Sequence, residues 1–226
     1  MADRTEFLDR IRHRTRSGRY QPTRAPDVAW TPEGSPRERE PMEDPSSRFL
    51  EELEAVGGRG KKVASAGEVR DYLLSLAEER NAKLLVRWDV EELEELGLDG
   101  PLEESGAEVV LWRDLDDGRE VAASADIGIT TAEWAIAETG SLVLAGGPGM
   151  GRSVTLLPPV HVAVVPVDRV LRTVPEAIER YSGSVPANLC FHTGPSRTGD
   201  IEMTLSIGVH GPGEVHVVLL DGPDAR

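Results

Sequence analysis

Glycines, hydroxyls, one guanidinium and two carboxylates are concentrated in residues 194–202, GPSRTGDIE, directly after an apolar stretch. Glycines let a backbone approach a ligand closely, and hydroxyls and exposed amides bind anions. Arg197 can hold a carboxylate or phosphate through two parallel hydrogen bonds. A tight surface turn with a solvated arginine is the alternative. Together with the GVHGP of residues 208–212, the run predicts a small-molecule site.

A second glycine-rich stretch has two parts, AETGS at residues 137–141 and GGPGMGR at residues 146–152. The second part can form a backbone nest for an anion with Arg152 as counter-charge, or a flexible hairpin connection. It has no Lys followed by Ser or Thr after its final glycine, so it is not a P-loop, and it does not match a dinucleotide fingerprint. We therefore expect no nucleotide cofactor at this loop.

These two stretches, with the LPPVHVAVVP of residues 157–166, resemble the LUD-domain family that includes lactate utilization protein C. The resemblance covers residues 49–224, most densely 126–222. It implies the fold shared by ribose-phosphate isomerases, CoA transferases and folate cycloligases, an α/β fold with a mostly parallel sheet flanked by helices. It also implies a part in the bacterial oxidation of L-lactate to pyruvate, alongside iron–sulfur partner proteins.

The resemblance gives Glu138 a possible catalytic role, because a carboxylate at a helix-to-strand corner does nucleophilic or acid–base work in that fold. The alternative is that Glu138 only bonds a nearby backbone amide. The candidate ligand-binding residues are Thr139, Gly140, Gly149, Gly151, Arg152, Gly194, Ser196, Arg197, Thr198, Asp200 and Glu202.

The composition restricts the class of partner. The net charge of −15 argues against nucleic acid, whose phosphates are bound by clustered Lys and Arg. Cys190 is the chain's one cysteine, so the chain cannot itself ligate an iron–sulfur cluster, and we expect it to carry no cofactor. The first 20 residues carry charges throughout and no stretch reaches 18 apolar residues, so we expect a cytoplasmic chain without a membrane span.

Composition also divides the chain. Residues 1–46 are a basic segment followed by a Pro-rich arm, and residues 47–226 are predicted to form one α/β domain. Helical spacing of apolar residues predicts helices near 49–56, 69–77, 90–96 and 175–181. Apolar runs predict strands at 83–87, 107–112, 140–145, 160–166, 188–192 and 214–220, the fourth buried on both faces.

Two further segments carry local patterns that predict secondary structure. Thr130 and Glu133 form a capping box, which predicts a helix from there to about Ala137. Residues 201–209 alternate strictly and favour a strand, although the preceding TGD could cap a short helix. His161, His192 and His210 have no Cys or carboxylate at metal-ligand spacing, so the sequence favours no metal site.

Three functions fit these residues. The first is a non-redox subunit of a lactate utilization system that binds a small anionic ligand and docks partners. The second is an independent enzyme, an isomerase, acyl or CoA transferase or ligase, that uses Glu138. The third is a regulatory protein that senses a ligand without turnover.

Overall fold

The computed structural model describes Asp9 and residues 42–114, 118–183, 185–198, 206–207 and 211–222. Compactness divides the chain into Met1–Pro41 and Met42–Arg226, and the fold given below is that of the second unit. Its helices are α1 (Pro45–Ala55), α2 (Ala66–Arg80), α3 (Glu91–Glu95), α4 (Asp99–Glu104), α5 (Gly118–Ser124), α6 (Ser153–Leu156) and α7 (Val174–Glu179). Its strands are β1 (Arg59–Val63), β2 (Leu84–Arg87), β3 (Glu108–Leu111), β4 (Ile127–Thr130), β5 (Trp134–Ile136), β6 (Ser141–Ala145), β7 (Val160–Pro166), β8 (Val170–Leu171), β9 (Leu189–Thr193), β10 (Arg197–Thr198), β11 (Ser206–Ile207) and β12 (Glu214–Leu220).

Six strands form an entirely parallel sheet in the order β1-β12-β7-β4-β2-β3. All seven residues of β12 pair with β7, from Glu214 opposite Val160 to Leu220 opposite Pro166. Every position of β7 is buried, as expected for a strand covered on both faces. The α/β class with a mostly parallel sheet is therefore confirmed.

Helices cover both faces of this sheet. On one face α2 packs against β12 and α4, and α4 packs against β3. On the other, α5 packs against β2 and α6, and α6 lies over β4 and β7. Crossovers between parallel strands are right-handed, so connections that run in opposite directions along the sheet place their helices on opposite faces.

A second sheet has the order β8-β5-β6-β9, and its strands lie between β4 and β12 along the chain. Its central pair β5 and β6 is antiparallel, as is β6 with β9. Its outer face buries a small cluster of Ile136, Val143, Leu171 and Ala177. Its other face supplies Leu142 and Leu144 to the main core.

The helix predicted from Thr130 to Ala137 is wrong. Thr130 ends β4, and Trp134–Ile136 is strand β5, paired with both β6 and β8. A capping box stabilises a first helical turn only locally, whereas β5 gains backbone hydrogen bonds on two sides and buries Ala135 and Ile136 completely. The tertiary pairing therefore overrides the local signal.

Other helices begin where side chains cap them. The Asp44 carboxylate accepts hydrogen bonds from the Ser46 and Ser47 amides at the start of α1. The Ser65 and Thr173 hydroxyls do the same for the amides of Glu68 and Glu176. Within the described residues, no helix is both long and apolar enough to cross a membrane.

Candidate functional site

The strand order of the parallel sheet reverses between β2 and β4. From β2 the chain passes through α3 and α4 to β3 at the sheet edge, and β4 then pairs on the opposite side of β2. The connections after β2 and after β4 therefore run in opposite directions and leave a crevice at the carboxyl ends of these two strands. Open α/β sheets bind ligands in such a crevice.

The glycine-rich loop after β6 lies across this crevice. The Asp89 amide donates to the Gly149 carbonyl at 3.0 Å, and the Trp88 indole N–H donates to the Gly151 carbonyl at 2.9 Å. Gly149 has φ +74°, and a Cβ there would collide with the Asp89 carbonyl. The loop backbone thus needs glycine at 149 to rest directly on the end of β2.

Beside the loop is an open cleft of about 580 Å³, lined by Asp89, Trp112, Arg113, Gly118, Pro148 and Gly149. The Arg113 Nε lies 2.9 Å from an Asp89 carboxylate oxygen, and the Arg113 side chain is 62% exposed. The Trp112 ring occupies the space that a side chain at Gly118 or Gly151 would need. The cleft thus combines an indole, backbone amides and one arginine paired with one carboxylate.

Arg152 lies at the end of the glycine-rich loop, just before α6, and its side chain is exposed. Its Nη1 is 3.4 Å from the Asn188 Oδ1, a long contact for a hydrogen bond. This guanidinium can therefore exchange its protein partner for a ligand carboxylate at small cost.

A third arginine, Arg169, follows β7 at the same edge of the sheet. Arg169, in the turn after β7, makes a double hydrogen bond to the Glu92 carboxylate of α3 and also donates to the Ala132 carbonyl at 3.2 Å. Burial opposes ionisation of Glu92, but the hydrogen bond and charge of Arg169 outweigh it and keep the Glu92 pKa below its usual value. Arg169 therefore holds α3 against the end of β4.

Glu138 lies elsewhere, at the opposite end of β6 from the glycine-rich loop. It stands in the turn between β5 and β6, and not at the helix-to-strand corner expected from the sequence. Its Oε1 accepts a hydrogen bond from the Val174 amide at 2.6 Å, at the first residue of α7. The carboxylate thus caps α7, as the alternative interpretation of the sequence proposed.

Thr139 and Gly140 belong to the same turn. The Thr139 hydroxyl donates to the Ser141 hydroxyl at 2.8 Å, which is 2.6 Å from the Thr193 hydroxyl of β9. Gly140 has φ +62°, and a Cβ there would lie 2.7 Å from the Leu53 Cα of α1. Gly140 therefore lets the turn approach the backbone of α1.

The arginine-containing run after β9 also meets α1. The Arg197 Nη2 donates to the Val56 carbonyl at 2.6 Å, just after the last residue of α1. Gly194 has φ +70° and lies against Val56. The Ser196 amide donates to the Pro212 carbonyl at 2.9 Å.

The remaining residues of this run are described only in part. Thr198 pairs with Ser206 in the short β10–β11 ribbon, which places part of the predicted 201–209 strand in a sheet. Asp200, Glu202 and His210 lie outside the described residues.

The structure thus divides the predicted ligand-binding residues into two groups. Thr139, Gly140, Gly194 and Arg197 gather around the end of α1, whereas Gly149 and Gly151 lie at the crevice and Arg152 follows them in the chain, with its side chain against Asn188. The five residues of β6 separate the groups by about 16 Å, too far for one small molecule to contact both.

Sequence reasoning missed four residues of the crevice: Trp88, Asp89, Trp112 and Arg113. A signal for them existed. Trp88 and Asp89 directly follow one predicted strand, and Trp112 is the last residue of the next predicted strand, with Arg113 directly after it; the carboxyl ends of parallel strands meet at one edge of the sheet.

His161 lies inside β7, with its Nε2 2.9 Å from the Thr130 hydroxyl at the end of β4. Burial, followed by the charges of His192 and His216, lowers the pKa of His161 to about 3, so its ring is neutral. Among the described residues, no group of three His, Cys, Asp or Glu side chains could hold a metal ion.

Comparisons with known proteins agree with the fold. A model of the LUD domain matches residues 46–220. Lactate utilization protein C of Halalkalibacterium halodurans is 36% identical over 159 residues, 67% of this chain and 68% of that protein. The protein of that name from Shouchella clausii is 32% identical over 167 residues, 71% of this chain and 72% of its own length.

A longer match and a solved structure add to these. Lactate utilization protein C 1 of Bacillus mycoides is 28% identical over 228 residues, 97% of each chain. The crystal structure of a DUF162 family protein from Deinococcus radiodurans is similar with a TM-score of 0.56 at 23% identity, covering 77% of this chain and 94% of that one. At that identity the structural likeness shows the fold alone.

Proposed function

The chain belongs to the LUD domain family, and from that premise we propose that it is a component of a lactate utilization system, in which it binds a small anionic molecule and acts with iron–sulfur partner proteins. The lactate assignment is supported by the names of the relatives, which match most of the chain. The anion-binding role is argued from the crevice.

The observation that carries the anion-binding role is the glycine-rich loop held over the carboxyl end of β2 at the reversal of strand order. Two hydrogen bonds, to Gly149 and Gly151, fix the loop there. They leave the exposed guanidinium of Arg152 at its end, where among the described residues it makes a 3.4 Å contact to Asn188. A positioned arginine beside exposed backbone at a switch point suits a carboxylate or phosphate.

The iron–sulfur partner proteins are what the resemblance to the LUD-domain family implies. Oxidation of lactate to pyruvate releases two electrons, and a chain with one cysteine cannot supply the several thiolates of an iron–sulfur cluster. We therefore assign electron transfer to these separate proteins and give this chain a binding role. In the enzymatic alternative Glu138 would act while its Oε1 accepts the hydrogen bond from the Val174 amide.

Growth on L-lactate tests the lactate assignment. Deletion of the gene should abolish growth on L-lactate but not on glucose, and the wild-type gene should restore it. Normal growth of the deletion strain on L-lactate would remove the assignment.

Complementation with Arg152→Ala tests the ligand role, with Arg48→Ala as the matched control. Arg48 is also a half-exposed surface arginine, and it pairs with Glu51 and Glu52 of its own helix. We expect Arg48→Ala to restore growth and Arg152→Ala to fail, although both proteins accumulate to wild-type levels by immunoblot. Full rescue by Arg152→Ala would exclude Arg152 from the site.

The partner assignment has a separate test. The tagged full-length chain, isolated from lactate-grown cells, should bring down proteins that contain iron and acid-labile sulfide in equal amounts. As the control, the same tagged chain is mixed with glucose-grown cells and isolated in the same way. An absence of iron and sulfide from both preparations would contradict a stable complex with iron–sulfur proteins.

A further inference from the structure

His161 is a polar residue in a strand that is otherwise apolar. It is 0% exposed, and its neighbours on β7, Val160 and Val162, are buried as well. One ring nitrogen, Nε2, meets the Thr130 hydroxyl at 2.9 Å. A leucine or valine would fill a buried strand position without the cost of desolvating a ring that carries two polar atoms.

The other ring nitrogen of His161 has no partner. Within the described residues its Nδ1 is fully buried and makes no hydrogen bond. A neutral imidazole carries one donor and one acceptor, and both need partners when buried. Buried polar atoms without partners are rare in folded proteins, so this nitrogen calls for one.

The ring of His161 has the ring of His192 of β9 as a neighbour. The His192 ring stands edge-on to that of His161, with centroids 6.2 Å apart and an interplanar angle of 75°. At this separation the facing ring atoms are too far apart for a direct hydrogen bond of about 3 Å, but one oxygen atom between them can reach both. Burial first, and then the charge of Arg152, lower the pKa of His192, so this ring too favours the neutral form.

Arg152, His192 and His161 differ in burial. Arg152 is exposed, His192 is half-buried and His161 is fully buried. A guanidinium at the surface with two neutral imidazoles behind it matches a ligand that carries a carboxylate on one carbon and a hydroxyl on the next. The carboxylate would remain at the surface with Arg152, and the hydroxyl would enter between the rings.

We propose that His161 and His192 form a slot for the hydroxyl oxygen of a small 2-hydroxycarboxylate, whose carboxylate binds Arg152. This inference rests on the proposed function and specifies its ligand. The hydroxyl donates to one imidazole and accepts from the other, with Thr130 fixing the His161 ring through Nε2. His161, His192 and Thr130 are positioning residues for binding, and no covalent step is assigned to them.

L-Lactate and propionate provide the test, because they differ only in the hydroxyl. Titration calorimetry of the full chain should show about tenfold tighter binding of L-lactate, the factor that one net hydrogen bond supplies. In His161→Leu the two ligands should bind within twofold of each other, with propionate affinity unchanged. His192→Leu should give the same result and serves if His161→Leu fails to fold, since His192 is only half-buried.

His216→Leu is the matched control. His216 is also a buried strand histidine, but its Nδ1 is 2.7 Å from the Tyr72 hydroxyl of α2, on the other face of the sheet. We expect this variant to lose stability and to keep the tenfold preference for L-lactate.

Each outcome decides a different point. Equal binding of L-lactate and propionate by the wild-type chain overturns the hydroxyl slot and leaves the anion-binding proposal standing. A preference that persists in both His161→Leu and His192→Leu places the hydroxyl elsewhere and also overturns the slot. Binding of neither ligand overturns this ligand assignment and excludes these small carboxylates as the anion, while growth on L-lactate still decides the lactate assignment separately.

Discussion

Gly140→Ala separates a structural role for the β5–β6 turn from a ligand-binding role. Gly140 has φ +62°, and a Cβ there would lie 2.6 Å from the Glu52 carbonyl carbon and 2.7 Å from the Leu53 Cα. These atoms belong to the backbone of α1, which cannot move aside as a flexible side chain could. We therefore expect the substitution to push α1 away from the turn.

The magnitude of this effect has two parts. A left-handed backbone costs a non-glycine residue about 1–2 kcal/mol, and forcing one extra carbon into a packed contact costs about 1–3 kcal/mol. The loss of unfolding free energy for Gly140→Ala should therefore be about 2–5 kcal/mol. Gly106→Ala isolates the first part, because Gly106 has φ +93° and nothing lies within 4 Å of its Cβ position.

A third variant sets the baseline. Gly67→Ala lies in the first turn of α2 with ordinary contacts of 3.6 Å and 3.7 Å, and should stabilise the chain by up to ~1 kcal/mol. Urea unfolding followed by circular dichroism measures all three. The reasoning is refuted if Gly140→Ala costs no more than Gly106→Ala, because α1 would then not lie against the turn.

Three further predictions follow from caps, braces and buried rings. Asp44→Ala should lower the melting temperature, because it removes the side-chain cap of α1. A chain that begins at residue 42 should melt cooperatively, whereas one that begins at residue 46 loses this cap. A non-cooperative melt of the chain that begins at residue 42 would contradict the domain boundary at Met42. Arg197→Ala should cost about 1 kcal/mol of stability, because the bond to Val56 is charge-assisted but exposed, and an unchanged melting temperature with weaker ligand binding would instead favour the ligand role. The pKa of His161 in the folded chain, about 3, lies below its unfolded value of 6.5, so the unfolded state gains a proton first as the pH falls. Stability should then decrease below pH 6.5 by up to ~1.4 kcal/mol per pH unit from this residue, and His161→Leu should flatten that acid limb in urea titrations at pH 4–7.

Sequence patterns predicted the elements whose signal is local. β7 and β12 are largely apolar runs, interrupted by His161 and His216, and both lie inside the parallel sheet as buried strands. The helices α1 and α2 follow from apolar spacing, and their buried residues include Phe49, Leu53, Val69 and Leu73.

Strands β6 and β9 were predicted, but the second sheet that they form with β5 and β8 was not, because the two shorter strands gain their stability from distant partners. Trp134–Ile136 is only three residues long, and its pairing with β8 joins it to Val170–Leu171, far along the chain. The local sequence of residues 130–137 gives no indication of that pairing, although it contains the capping box, which favours a helix.

The site residues show the same limit. Glycines and arginines could be recognised as unusual from the sequence, but whether they serve a ligand depends on what the fold places against them. Gly140 and Arg197 meet α1, whereas Gly149 meets Asp89 at the crevice, and their local sequences do not distinguish these cases.

The pairing of β1 with β12 has a consequence for folding during synthesis. β1 emerges from the ribosome early, yet its pairing partner, residues 214–220, is the last strand among the described residues. Until that strand is made, β1 has no strand to pair with and one edge of β7 stays open, so the sheet closes only after residue 220 has been made. Products that stop before residue 214 would expose an unpaired apolar strand, the kind of edge that templates aggregation, and would depend on chaperones or be degraded.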